Sequence, residues 1–463
     1  MSLNSGSQHS KMIRQSTKNS NIVLISIFTY SLLIVFWPGQ SGGGELDTTL
    51  ACIAHAVLYN ILAYNFSSYC KNPVFLKTPL AISCLLIVVY LGVPFLKYYG
   101  EARYVELDVG LHYRLFGLFV ICASTLMILK LYAKKWILFY RKSHEVMQRY
   151  DGPLFVSLMY SIFGVSTFYM ITASVFTGNE LSAAQVTFII SGFLIALYYF
   201  SLFGAQQKAF WNELLFVCGG LSITYYSGQR FALLLVILML VFARISRIRS
   251  HKKRESMVLL SLLIAPLVLT MTLGPLTEMT KTRYGGVNLI FELQRTDLAD
   301  FVGAASTADY KENVFTGLYT SFLWAIPGRI IEKEKLDYSM EPFFEKNNWR
   351  SSDYREGYSL ESTDYIHSIF ASGAMVGGFV GALLFPLAWY GVIIMMLSRL
   401  KNTLLLSFYL ASVPSLFIIE LAFWQIIPTV RNWIIISIIL FGLIQLISLL
   451  RPRLRRVFHR RQT

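Results

Sequence analysis

Residues 341–368 read EPFFEKNNWRSSDYREGYSLESTDYIHS, and residues 369–398 read IFASGAMVGGFVGALLFPLAWYGVIIMMLS. In one step the chain passes from a charge every few positions to a run with none. The first string closes a polar stretch, residues 277–364, and the second belongs to a series of apolar runs that fill the rest of the chain. A connection of that length is functional or unstructured. This one carries Trp324, Phe343, Phe344 and Trp349 among its charges, the makings of a folded segment. The chemistry is expected at its end, where His367 leads back into apolar sequence.

Outward from that junction, composition sets the class. Hydrophobic residues make up 55% and charged residues 14% of the chain, whereas a soluble domain holds about 25% charged residues. Mean hydropathy is +0.53. A net charge of +15 on a soluble face would suggest nucleic acid. Here the basic residues sit between apolar runs, where charge bias reports orientation, and no nucleic-acid partner is expected. Cys52, Cys70, Cys84, Cys122 and Cys218 all lie outside the polar stretch and give neither a disulfide framework nor a zinc spacing. No metal and no cofactor is expected.

Runs of spanning length centre on 21–38, 48–66, 78–96, 112–133, 153–176, 183–203, 211–226, 231–246, 256–276, 366–397, 403–427 and 433–450, about twelve helices by the length a bilayer requires. The tenth is too long for one straight crossing. The run at 21–38 lacks a small-residue cleavage site and reads as a retained span. Alternate connections carry the cations: Lys11, Arg14 and Lys18; Lys71 and Lys77; Lys130, Lys134, Lys135, Arg141 and Lys142; Arg244, Arg247, Arg249, Lys252, Lys253 and Arg254; Arg399 and Lys401; and six arginines from Arg451 to Arg461. Under the positive-inside rule both termini are cytoplasmic and residues 277–364 face outward. The expected organisation is an all-α polytopic membrane protein. A cytoplasmic tail occupies 1–20, helices one to nine 21–276, an extracytoplasmic loop domain 277–364, helices ten to twelve 365–450, and a basic cytoplasmic tail 451–463. The last tail reads as a topology anchor, with an anionic-lipid site as the less favoured alternative.

The short outward connections make their few polar residues conspicuous. Ser227-Gly228-Gln229-Arg230 turns between the seventh and eighth runs, Thr429-Val430-Arg431-Asn432 precedes the twelfth, and Asp364-Tyr365-Ile366-His367-Ser368 precedes the tenth. A helix N-terminus offers free N–H groups and a positive dipole end, and arginine adds paired donors that match phosphate oxygens. The set suits a pyrophosphate at the membrane surface; the bland alternative is interfacial anchoring. Asp364, His367 and Ser368 fall at i, i+3 and i+4 on one helical face. A neutral His367 would accept a proton from an attacking hydroxyl, with Asp364 beside it or serving only as a helix N-cap. Gly373, Gly377 and Gly381 follow at four-residue spacing, which favours close helix packing in lipid. Within the polar stretch Arg283, Arg295, Arg329, Arg350 and Arg355 are candidates to grip phosphate or sugar carboxylate, or else a solvated face. Glu45 with Asp47 and Glu106 with Asp108 form two acidic pairs of the kind that hold a divalent cation.

On these residues the chain resembles the oligosaccharide repeat-unit polymerases (Wzy-type) and the related O-antigen ligases of bacterial envelopes. Ser227-Gly228-Gln229-Arg230 is similar to the Ser-Arg turn of that family. Asn313 to Gly317, Ile326-Pro327-Gly328-Arg329 and Glu334-Lys335 are similar to the polymerases' loop pattern, with Gly328 interrupting Pro-Arg and Leu336 in place of a proline. His367-Ser368 before Gly378 and Gly381 is similar to the ligases' pattern. The resemblance implies a C-type glycosyltransferase-like membrane fold in the bacterial cytoplasmic membrane. It implies glycosyl transfer from an undecaprenyl-pyrophosphate carrier without metal or nucleotide sugar. The catalytic set would be His367, Arg230 and Asp364, and Arg329, Arg283, Arg295, Arg431 and Ser368 would bind substrate. The expected partners are the lipid-linked glycan as donor and acceptor, membrane lipids, a flippase and a chain-length regulator. A polymerase elongates another lipid-linked repeat; a ligase, the alternative, transfers to lipid A-core. Two rivals remain: a transporter of lipid-linked glycan, which would need mid-span charges such as Glu213 and Glu420, with His55 a packed lone histidine; and a metal-dependent glycosyltransferase built on the acidic pairs.

Overall fold

The computed structural model describes residues 45–92, 111–150, 160–169, 209–227, 230–262, 298–307 and 368–399, with isolated positions at 157, 172, 264, 435, 438, 439, 442 and 446. Every regular element among the described residues is helical, and none is a strand. The main helices are α1 (Glu45–Tyr69), a 3-10 turn (Phe75–Lys77), α2 (Pro79–Gly92), α3 (Leu111–Tyr150), α4 (Ala209–Ser227), α5 (Arg230–Ser246), α6 (251–262), α7 (Leu298–Thr307) and α8 (Ile369–Arg399), and residues 160–169 are also helical. Two stretches, His112–Lys142 in α3 and Gly377–Met395 in α8, are long and apolar enough to cross a membrane. The expected runs at 21–38, 183–203 and 403–427 lie outside the described residues.

α3 is the organising rod. It packs against α1, α2, the 3-10 turn, α7 and α8, while α4 and α5 pair as a helical hairpin. The sequence reading ends this run near residue 133 and treats the following cations as a connection. The helix instead continues to Tyr150, because one face stays apolar: Leu129, Ala133, Trp136 and Tyr140 are buried at the i, i+4, i+7, i+11 spacing of a helical stripe.

Cross-contacts set the helix directions relative to one another. Phe66 near the end of α1 stacks on Phe242 near the end of α5 (6.3 Å between centroids), so these two run the same way. His55 of α1 shares a 2.7 Å hydrogen bond with Leu91 O at the far end of α2, and Tyr59 donates to Leu262 O at the far end of α6 (2.7 Å); α2 and α6 therefore oppose α1. Glu213 at the start of α4 pairs with Arg244 at the end of α5, which makes that hairpin antiparallel. Ser124 donates to Leu383 O (3.0 Å) and Tyr132 to Leu387 O (3.0 Å), so α3 and α8 descend together. Pro386, which lacks an N–H, lies between these two carbonyls in sequence.

One end of this bundle is basic and tied together by side chains. Lys71 O accepts hydrogen bonds from Arg254 and shares a 2.9 Å bond with His251 Nδ1, Arg254 also donates to Ile248 O, and Lys71 Nζ lies 3.1 Å from the Glu255 carboxylate. Arg254 and Glu255 are both buried. Burial, and then the nearby Arg247 charge, lower the Lys77 ammonium from its usual range. Cys70 is buried there too, and that burial pushes its thiol well up. The connections 70–78 and 247–255, far apart in sequence, thus share one end of the molecule.

Candidate functional site

The tenth apolar run is two arms. Gly377 (φ −144°, ψ 29°) and Gly378 (φ 58°, ψ −147°) break α8 between 376 and 379. Residues eight apart in a continuous helix are separated by about 12 Å. Here a Cβ on Gly373 would overlap the carbonyl oxygen of Gly381, and one on Gly381 would overlap that of Gly373. The chain has reversed on itself, and only glycine permits two backbones to meet so closely. The short arm is enclosed on all sides: Ser368, Ile369, Phe370, Ala371, Ser372 and Ala374 are buried. Its long partner arm continues to Arg399 alongside α3.

Ser368 is the N-cap of the short arm. Its Oγ accepts the Ala371 N–H (3.1 Å), and its carbonyl accepts both the Ser372 N–H (3.0 Å) and the Ser372 hydroxyl (3.2 Å). The expected substrate-binding serine therefore carries a helix-capping role, and the helix that was expected to hold Asp364, His367 and Ser368 on one face starts at Ile369. Asp364 and His367 lie outside the described residues, as do Arg283, Arg295, Arg329 and Arg431. The glycine spacing that was expected to receive a neighbouring helix receives the chain's own return.

A ten-residue part of the polar stretch is a packed element. α7 lies against both α3 and α8, with Leu298, Ala299, Val302 and Ala305 buried. The seat is Gly117 of α3, where a Cβ would lie 2.6 Å from Ala299 O and 3.2 Å from Gly303 N. Sequence reasoning passed over both Gly117 and α7. The available signal was the Ala299, Gly303 pair at four-residue spacing, the small-residue pattern by which helix backbones approach in lipid. Close by, Phe379 just after the glycine turn packs edge-on against Phe116 (4.6 Å) and stacks on Tyr113 (6.4 Å). The turn, α7 and the first two turns of α3 thus form one cluster.

Arg230 is the first residue of α5, with Ser227 closing α4 before it. Arg230 thus stands at a helix N-terminus, where the first backbone N–H groups have no intrahelical partner; Gly228 and Gln229 of the expected turn lie outside the described residues. By the relative directions above, this start of α5 belongs to the end away from the basic connections. Among the other polar residues weighed in the sequence, Glu213 is paired with Arg244, and His55 is buried and hydrogen-bonded. Glu45 and Asp47 stand in the first turn of α1; Glu106, Asp108 and Glu420 lie outside the described residues. No three His, Cys, Asp or Glu side chains among the described residues gather as a metal site would require. No family model, curated protein or solved structure matches this chain.

Proposed function

We propose that the protein is a multi-pass glycosyltransferase of the bacterial cytoplasmic membrane, with about twelve spanning helices and both termini in the cytoplasm. On this reading it polymerises undecaprenyl-pyrophosphate-linked oligosaccharide repeats at the outer membrane face. The observation that carries the reading is Arg230 at the N-terminus of α5, at the bundle end away from the cations that the positive-inside rule assigns to the cytoplasm. The enclosed arm beginning at Ser368 supports it by fixing the chain position immediately after His367.

In the proposed reaction a sugar hydroxyl of one lipid-linked repeat attacks the anomeric carbon of another. The anomeric carbon–oxygen bond breaks, and its electron pair leaves with the polyprenyl pyrophosphate. The hydroxyl proton passes to His367, oriented by Asp364. The larger demand is the charge that develops on the leaving pyrophosphate, which Arg230 and the α5 N-terminus meet together with Arg329. Arg283, Arg295 and Arg431 serve glycan or phosphate binding, and no metal takes part.

Purified protein incubated with a defined lipid-linked repeat should yield a ladder of product lengths, unchanged by chelator. Arg230→Ala should lower kcat about 100- to 1000-fold, as loss of a charge-stabilising donor does, and His367→Ala about 100- to 10,000-fold. Transfer of a single repeat to core lipid would replace the polymerase with a ligase. Absence of product in both assays overturns the proposal.

A further inference from the structure

The cytoplasmic-side half of α3 carries an outward face that neither packing nor the glycosyl-transfer reading uses. Lys130, Lys134, Lys135, Arg141 and Lys142 are all exposed on it, and Leu131 and Leu138 stand among them at 50% and 56% exposure. The opposite stripe, Leu129, Ala133, Trp136 and Tyr140, is buried. A helix face turned to water can carry scattered leucines but puts none to use between its cations. A face at a membrane boundary does, because the leucines reach acyl chains while long basic side chains extend to the headgroups.

Helix length fixes the depth. From His112 to Lys130 the rise is about 27 Å, close to the roughly 30 Å of a bilayer's hydrocarbon core. If His112 marks one boundary, Lys130, Lys134 and Lys135 lie about 27–35 Å along the helix from it and reach the headgroup layer of the other, with Arg141 and Lys142 just past it. Lys135 is held there over the Tyr132 ring, 5.8 Å from its centroid, and Tyr132 is in turn hydrogen-bonded to Leu387 O of α8. Glu145 is the one acid among the described side chains of this half of α3.

We propose that this face of α3 binds anionic phospholipid headgroups of the inner leaflet. The five cations act as a phosphate-recognising collar and Leu131 and Leu138 as its apolar contacts. The proposal rests on α3 crossing a bilayer and is independent of the reaction the protein catalyses.

The test is thermal unfolding of the full chain in nanodiscs of phosphatidylcholine alone and of phosphatidylcholine mixed with phosphatidylglycerol. The wild-type midpoint should rise with phosphatidylglycerol. A variant with Lys130→Gln, Lys134→Gln, Arg141→Gln and Lys142→Gln should lose most of that rise while melting like wild type in phosphatidylcholine. The corresponding set Lys130→Arg, Lys134→Arg, Arg141→Lys and Lys142→Arg should keep it, which separates lost charge from lost folding. Neutralising Arg451, Arg453, Arg455 and Arg456 instead should leave the rise intact. An undiminished rise in the α3 glutamine variant overturns the proposal. So does an equal loss in the tail variant, or a rise of the same size from soluble glycerol phosphate in phosphatidylcholine discs.

Discussion

At the scale of single residues, three glycines decide how α3, α7 and α8 close on one another, one through its backbone conformation and two through lack of room. Gly378 adopts φ 58° and ψ −147°, a backbone region that side chains rarely tolerate, although the space around it is open. Gly378→Ala should therefore cost about 1–3 kcal/mol through strain alone. Gly373 has an ordinary backbone and no space, since a Cβ would strike Gly381 O. Gly117 meets the backbone of α7 in the same way. Overpacking of a fixed backbone costs about 1–3 kcal/mol or more, so Gly373→Ala and Gly117→Ala should each lower the melting midpoint in detergent. They should differ in what they release: limited proteolysis should attack the region of α7 first in Gly117→Ala and the start of α8 first in Gly373→Ala. Identical cleavage patterns would show that the two seats are not separate. Ser368→Ala removes only a cap, worth about 1 kcal/mol, and should be the mildest of the set.

At the scale of elements, the tie between the 70–78 connection and α6 is asymmetric. Glu255 is buried, with 2% of its side chain exposed, while its partner Lys71 is half in water at 53%. Removing Lys71 strands a carboxylate that has no route to solvent; removing Glu255 leaves an ammonium that turns outward. Lys71→Ala should thus destabilise by about 3 kcal/mol, in the range for an uncompensated buried charge, and Glu255→Gln by clearly less. The reverse order in thermal melts would mean that Arg254, not Lys71, neutralises Glu255. Lys77 nearby gives a pH signature. Its ammonium is lowered by burial and by Arg247, so between its folded value and the ordinary lysine value the unfolded chain binds more protons than the folded one. Stability contributed through Lys77 therefore rises with pH across that window. Lys77→Gln should be more stable than wild type at neutral pH, with the gap closing as pH climbs towards 10.5. A gap that stays constant over that range would remove Lys77 as the cause. These elements also show what a sequence reading reaches. The two helices long and apolar enough to span, in α3 and α8, were legible because a bilayer demands a set length of apolar sequence, whereas the cations of α3 did not mark its end. The small buried side chains of α7 and the reversal at Gly377–Gly378 were not legible, since alanine and glycine carry little hydropathy and their spacing announces a close contact without naming the partner. Of the candidate site, the start of α5 at Arg230 was readable from its turn residues. The capping role of Ser368 was not, because the same spacing fits a longer helix.

At the scale of the whole molecule, the relative directions of the helices make orientation an all-or-none property. α1 and α5 run towards the basic connections, α2, α4 and α6 run away from them, and α3 runs parallel to the long arm of α8. Inverting α1, α2, α3, α4, α5, α6 or α8 alone would break His55 from Leu91, Tyr59 from Leu262, Ser124 from Leu383 or Glu213 from Arg244. Labelling with a membrane-impermeant thiol reagent turns this into a test in a Cys218→Ser background, since Cys218 is exposed whereas Cys70, Cys84 and Cys122 are buried, and the chain without an added cysteine supplies the baseline. His112, Lys142 and Lys252 are exposed, and α3 from His112 to Lys142 rises about 45 Å, the thickness of a bilayer with its headgroups. In intact cells His112→Cys should label, whereas Lys142→Cys and Lys252→Cys should label only after permeabilisation. If all three switch sides together, the bundle stands and the charge bias has been read with the wrong sign, which would move Arg230 to the cytoplasm and end the proposed chemistry at the outer face. If His112→Cys and Lys142→Cys label from the same side, α3 does not cross the bilayer, and the lipid collar falls with it.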